Sequence, residues 1–152
     1  MTELISPSLS SGWFSYAIRV YPHHTDYAGI VWHGSYITWM EEARVEYLRS
    51  AGVSFDQLVA AGVDLPVVDL TLRYHQAAKM GEELLIMTKF SKSQKLRLTF
   101  DYEIKAVDPT NPEGDRLCVT ASVSLVPVDS QKRKILRSLP SLLDQAIAGL
   151  LG

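Results

Sequence analysis

The chain has 152 residues, 47% of them hydrophobic, and a formal net charge of -2, so one domain with a full apolar core is expected. That slightly acidic balance excludes a protein built to grip nucleic acid, which needs a concentrated positive field. A single cysteine, Cys118, excludes an intrachain disulfide framework or a cysteine-rich zinc site, and no apolar run reaches bilayer-spanning length. With no basic-plus-apolar leader pattern at its start, the chain is expected to be cytoplasmic, without membrane insertion.

No repeat, low-complexity tract or long linker divides the chain, so residues 1–152 read as one domain with a loose N-terminus over 1–11. From Trp13 to Tyr21 the chain alternates Phe14, Tyr16, Ile18 and Val20 against smaller or charged residues, which predicts a half-buried strand ended by Pro22. Gly29 and Gly34 bracket a loop. Beyond it Tyr36, Met40, Ala43 and Tyr47 recur with Ile37, Arg44 and Leu48 at helical spacing, opposite Glu42, Glu46 and Arg49. Ala51-Gly52 supplies a helix stop, and a one-turn helix is expected over Ser54 to Ala60. Strands follow in "LPVVDLTLRYH", "EELLIMTKF", "QKLRLTFDYEIKAV" and "LCVTASVSLVPVD". In the last, Leu117, Val119, Ala121, Val123 and Leu125 are expected to face one way and Cys118 the other. "DPTNPEGD" reads as an exposed loop, and a C-terminal helix is expected from about Pro140 to Leu150. Strand, long helix, then four strands on short turns implies an α+β domain: an antiparallel sheet of about five strands wrapped around one long central helix.

The stretch "TDYAGIVWHGSYITWMEEAR" resembles the signature of hotdog-fold acyl-CoA thioesterases of the 4-hydroxybenzoyl-CoA thioesterase type. The shared pattern is Asp26, Gly29 three residues on, Ile30-Val31, Trp32, His33, Tyr36 and the "EEAR" of Glu41 to Arg44. A second match, "RYHQAAKMGEEL", resembles the family's strand and glycine-acidic turn. The resemblance covers roughly Trp13 to Val128. It implies a hydrolase that splits a small aromatic or short-chain acyl-CoA into free acid and coenzyme A. It also implies a homodimer or homotetramer with the substrate channel between subunits, and no cofactor, coenzyme A being part of the substrate.

In that chemistry a carboxylate near the thioester carbonyl acts as general base for water or attacks directly to give a mixed anhydride, and either role suits Asp26. Without the match, Asp26 reads as a turn residue beside glycine. The resemblance assigns the backbone N–H at His33 to polarise the carbonyl, with Gly34 allowing close approach and the helix N-terminus supplying aligned N–H groups. The His33 side chain is a second catalytic candidate, orienting water or shuttling a proton, or else a polar residue at a helix start. Gly29 serves the turn that carries Asp26. Tyr21 and Tyr27 read as packing residues or as hydrogen-bond partners of substrate or Asp26; some relatives have a tyrosine where this chain has Pro22. Glu41 and Glu42 are the rival bases; Glu41 pairing with Arg44 and a solvated Glu42 are the structural readings. Trp32, Trp39, Tyr36 and Met40 line an acyl pocket or belong to the core.

Coenzyme A phosphates call for cations, and Lys89, Lys92, Lys95 and Arg97 cluster around one predicted turn, with Lys132, Arg133, Lys134 and Arg137 as a second cluster. No metal site is expected: the spacing of His23, His24, Asp26 and His33 fits no helical pair, and adjacent histidines in extended chain point apart. The absence of G-x-S-x-G removes a serine-elbow hydrolase. A dehydratase is a lesser enzymatic alternative, and the non-enzymatic one is an acyl-CoA-binding or interaction module on the same fold.

Overall fold

The computed structural model describes residues 8–10 and 12–151; the side chains of residues 8–10, 92, 93 and 151 lie outside that description. Strand β2, Trp13–Arg19, ends just ahead of Pro22, where a 3-10 turn over Pro22–His24 begins. Helix α1 spans Ser35–Ser50 and stops at Gly52, whose φ of +93° is the left-handed conformation that a β-carbon disfavours. Helix α2, Phe55–Ala60, starts on a capping box in which Ser54 Oγ accepts the Gln57 N–H and Gln57 Oε1 accepts the Ser54 N–H.

Beyond a two-residue strand β3, Val63–Asp64, come β4, Val67–Tyr74, β5, Glu83–Gln94, β6, Arg97–Ala106, and β7, Arg116–Leu125. A short β8, Val128–Asp129, pairs with β3, and α3, Ser141–Leu151, closes the chain. Of the stretch expected to be loose, residues 1–7 and 11 lie outside the described residues, whereas Ser8–Ser10 form β1 along β2. The main sheet is therefore six-stranded, in the order β1-β2-β5-β6-β7-β4, with every neighbouring pair antiparallel. Three helices are present among the described residues.

Register explains the core. Phe14, Thr88, Tyr102, Ala121 and Leu72 are successive cross-strand partners from β2 to β4 and so share one face of the sheet. α1 packs against β2 and β5, burying Tyr36, Trp39, Met40, Ala43, Tyr47 and Leu48. Cover thins toward β4, where Leu70 is 40% exposed and Tyr74 50%.

One strand departs from its alternation. Cys118 is fully buried and Leu117 only half-buried, the reverse of the sequence expectation. A register shift between Ile104 and Lys105 in the β6–β7 pairing is responsible, because one extra residue flips the facing of the chain beyond it. Among the described residues no helix is long and apolar enough to cross a membrane.

Candidate active site

The segment between β2 and α1 folds back on itself as a small hairpin. Thr25 bridges Val31, the Asp26 N–H donates to the Ile30 carbonyl at 2.8 Å, and the Trp32 N–H donates to the His24 carbonyl at 2.9 Å. Asp26 thus occupies the tip while His33 and Gly34 lie at the base, directly before α1. Gly29 makes the tip possible: its φ is +79° and no atom crowds its α-carbon, so conformation alone requires glycine there.

Asp26 is exposed, and its Oδ1 accepts the backbone N–H of Ala28 at 2.9 Å and of Ile30 at 3.2 Å. Turn residue and candidate base are therefore not exclusive readings. One carboxylate oxygen holds the loop, while Oδ2 forms no hydrogen bond among the described residues. The backbone N–H groups of His33 and Gly34 likewise donate to no group among the described residues, at the end of α1 where the helix dipole is positive.

Gly34 has a different constraint from the one the sequence suggested. Its φ of -77° is ordinary, but the six-membered ring of Trp32 folds over it, and a β-carbon at residue 34 would run into that ring. The close approach is made by Trp32, which is 55% exposed and lies 4.8 Å, centroid to centroid, from the His33 ring.

Two supports of this loop were invisible in the sequence. The Tyr74 hydroxyl, on β4, donates to the His33 carbonyl at 2.8 Å, and burial pushes its phenol upward, which keeps it a donor. His24 anchors the other side: its Nδ1 accepts the Tyr21 N–H at 2.9 Å, and its carbonyl accepts Ser35 Oγ at 2.9 Å as well as the Trp32 N–H. His23 and His24 do not point apart, since they sit in a 3-10 turn rather than extended chain and their rings lie 4.0 Å apart. Among the described residues no three His, Cys, Asp or Glu side chains converge as metal ligands would.

The remaining candidates scatter. Tyr27 is fully exposed, and neither it nor Tyr21 bonds to Asp26. Glu42 accepts the Tyr16 hydroxyl at 3.2 Å on one flank of α1. Arg44 is buried and donates to the Tyr102 hydroxyl at 3.0 Å, so the expected Glu41–Arg44 pair does not form. Trp39, Tyr36 and Met40 are core residues, at most 3% exposed. Tyr36 still edges a hollow of about 170 Å³ beside the loop, together with Val31, His33, Tyr74, His75 and Gln76.

The cations are not gathered at the loop within one chain. Glu83, at the start of β5, pairs with Arg19 near the loop, and twelve residues of strand carry the chain about 40 Å further, to the turn holding Lys95. Lys89 lies 5.7 Å from the Trp13 ring centroid, the side chain of Lys92 falls outside the described residues, and Arg97 opens β6. The two clusters do meet once: Lys95 and Arg137 line a hollow of about 450 Å³ with Leu96, Ser138, Leu139 and Asp144.

The turn opposite the loop is clamped by Arg116, which donates to both Glu82 carboxylate oxygens at 2.9 and 3.0 Å. These hydrogen bonds hold the Glu82 carboxyl below its ordinary 4.5. Burial, reinforced by the neighbouring His23, holds His24 below its ordinary 6.5. Both groups take up protons more readily in the unfolded chain. Their contribution is complete above the unfolded values and is lost as pH falls toward the folded ones. The melting temperature is therefore expected to decline from about pH 6.5, through His24, and again below about pH 4.5, through Glu82. His24→Gln should remove the first decline; thermal melts across that range check it, and a wild-type profile flat through both windows would contradict the assignment.

Comparison with known proteins shows the family of the chain. The family model of the Thioesterase-like superfamily matches residues 20–146, which contain Asp26, His33 and Gly34. The chain is 45% identical over 143 residues to sll0410 of Synechocystis sp., covering 94% of this chain and 83% of that protein. It is 34% identical over 127 residues to the acyl-CoA thioester hydrolase YbgC of Escherichia coli O6:H1, covering 84% of this chain and 90% of that one. Among solved structures, Slr0204, a 1,4-dihydroxy-2-naphthoyl-CoA thioesterase from Synechocystis, superposes with a TM-score of 0.79 at 26% identity, over 92% of this chain and 98% of that one. On sequence and fold together, the chain belongs to the Thioesterase-like, hotdog-fold superfamily.

Proposed function

We propose that the protein is an acyl-CoA thioesterase, hydrolysing an aromatic or short-chain acyl-CoA to the free acid and coenzyme A. The observation that carries this reading is one loop, inside the matched segment, that carries both an open carboxylate oxygen on Asp26 and two unengaged N–H groups at the start of α1. A thioester carbonyl set between them is polarised by the His33 and Gly34 N–H groups, while Asp26 takes a proton from water as that water attacks the carbonyl carbon. The C–S bond then breaks and coenzyme A leaves as thiolate, which needs little acid assistance. Attack by Asp26 itself, giving a mixed anhydride that water later opens, uses the same groups. In this reading the His33 ring, exposed beside Trp32, orients water.

Exposed Trp32 and Tyr74 favour a flat aromatic acyl group, the class named in the Slr0204 thioesterase; the E. coli relative is named for acyl-CoA alone. Lys89 and Lys92 of β5, Lys95 of the turn that follows and Arg97 at the start of β6 are assigned to the coenzyme A phosphates, reached from a neighbouring copy. Assembly is by edge pairing: β4 is an open sheet edge on which Val67, Val68, Leu70 and Tyr74 are 40–50% exposed. In that dimer α1 is the central helix, enclosed by sheet, and the protein works in the cytoplasm without a cofactor.

A panel of aroyl- and acyl-CoAs, followed by release of the free thiol, tests the reading. Turnover is expected with at least one aromatic member, and a wild type that binds but never hydrolyses would leave only the acyl-CoA-binding module. Tyr74 is the positioning residue, because the carbonyl it holds belongs to the same peptide unit as the Gly34 N–H. Tyr74→Phe is expected to lower kcat about tenfold with KM nearly unchanged, less than the loss of a direct oxyanion donor. Steady-state kinetics on the best substrate decide it, and a change confined to KM would contradict it.

A further inference from the structure

The His33 and Gly34 N–H groups, which donate to no group among the described residues, lie between Trp32 and Ser35, and a single carbonyl grips both ends of that segment. The His24 carbonyl accepts the Trp32 N–H at 2.9 Å and Ser35 Oγ at 2.9 Å. Where that carbonyl sits is fixed by its own side chain. His24 Nδ1 accepts the Tyr21 N–H at 2.9 Å, tying the 3-10 turn Pro22–His24 to the chain leaving β2. A backbone N–H can only donate, so Nδ1 carries no proton and the neutral ring holds its proton on Nε2. The ring also meets Trp39 edge to face at 5.0 Å, and Trp39 is 2% exposed on the buried face of α1. One half-buried imidazole therefore sets strand, turn and helix against one another.

Protonation of Nδ1 reverses this contact, because an imidazolium N–H then faces the Tyr21 N–H and the acceptor is gone. We propose that His24 is a second positioning residue: neutral, it holds the His33–Gly34 segment in place for the thioester carbonyl, and protonated on Nδ1 it releases that segment and lowers turnover. The inference rests on the thioesterase reading above and makes the carbonyl-polarising segment respond to pH through a side chain that does not touch substrate. Among the described residues, the titratable groups facing the ring are His23, Tyr21 and Glu42. The His23 ring, in the same turn, is 4.0 Å away, and its charge opposes a second one on His24. The Tyr21 ring is 5.9 Å away. Glu42 of α1 favours the charged form, while its carboxylate accepts the Tyr16 hydroxyl. Burial and His23 prevail, so the imidazole stays neutral to a pH below its ordinary 6.5.

Steady-state kinetics across pH, on the most active acyl-CoA, test it on the full chain. Wild type is expected to lose about tenfold in kcat, with KM nearly unchanged, as pH falls through a midpoint below 6.5. His24→Asn sets Oδ1 where Nδ1 was; it accepts the same N–H and does not titrate, so this fall should disappear. His24→Phe keeps a ring against Trp39 without the acceptor and is expected to show the lowered kcat at every pH. His33→Asn should retain the fall, whatever its rate. Circular dichroism confirms that the variants fold, and should His24→Phe fail to fold, His24→Asn decides. A fall that persists in His24→Asn, or one that vanishes in His33→Asn, overturns the proposal, as does a wild type without it. The Gly34 amide signal in nuclear magnetic resonance reads the coupling without turnover, followed in His33→Asn so that the adjacent imidazole does not contribute. It is expected to move with the same midpoint as the His24 ring, and to hold still over that range once His24→Asn is added. A Gly34 signal indifferent to His24, with acyl-CoA still hydrolysed, sinks the coupling and leaves the thioesterase reading, whereas coupled signals with no turnover on the panel do the reverse.

Discussion

Asp26→Asn is expected to lower kcat by about a thousandfold while leaving the fold intact, the scale of losing a general base or nucleophile. The substitution separates the two duties of this side chain. Oδ1 holds the hairpin tip by accepting from Ala28 and Ile30, and an asparagine carbonyl oxygen accepts the same two N–H groups. What disappears is the charge and basicity of the other oxygen. Rates on the most active acyl-CoA, with thermal melts of both proteins, distinguish the outcomes. An unchanged kcat would remove Asp26 from the chemistry and turn attention to Glu41 or Glu42. A fall in kcat together with a collapse in melting temperature would show that the loop itself had been lost.

Tyr47→Ala is expected to have the largest effect on stability. Tyr47 is 1% exposed, 5.3 Å from the Phe14 ring and 6.1 Å from the Phe100 ring, and it joins α1 to three strands of the sheet. Its hydroxyl also accepts the Phe90 N–H at 3.1 Å. Phe90 sits at the register shift in the β5–β6 pairing and beyond the last β2–β5 rung, at Phe14 and Thr88. Truncation therefore opens a cavity and strands a buried donor. About 4 kcal/mol is expected, and roughly 10 °C or more in melting temperature. Tyr47→Phe keeps the ring and loses only the acceptor, at about 1–2 kcal/mol. Urea denaturation of the three proteins gives both values, and equal losses in the two variants would show that packing is not the larger part.

What could be read in the chain was what repeats locally. The alternation of Phe100, Tyr102, Ile104 and Ala106 marks β6, and the spacing of Tyr36, Met40, Ala43 and Tyr47 marks the buried face of α1, because backbone geometry alone sets those periods. Asp26, Gly29, His33 and Gly34 were likewise legible as one group, since nine residues of a single loop hold them together. The helix pattern even placed Arg44 on an apolar arc. It did not show that its hydrogen bond would go to the Tyr102 hydroxyl on β6.

Other features depended on pairings between distant segments. Tyr74 reaches His33 across 41 residues only because β4 lies at the sheet edge beside the start of α1. Cys118 entered the core through a register shift that local alternation does not encode. The cations clustered around the β5–β6 turn could be read as a group, but their distance from the loop is set by the length of β5. Local period and turn chemistry belong to the sequence by itself, because they depend on residues within a turn or two of each other. Register, bulges and facing across the sheet are settled by tertiary structure, where each strand's position depends on partners that the local pattern does not name.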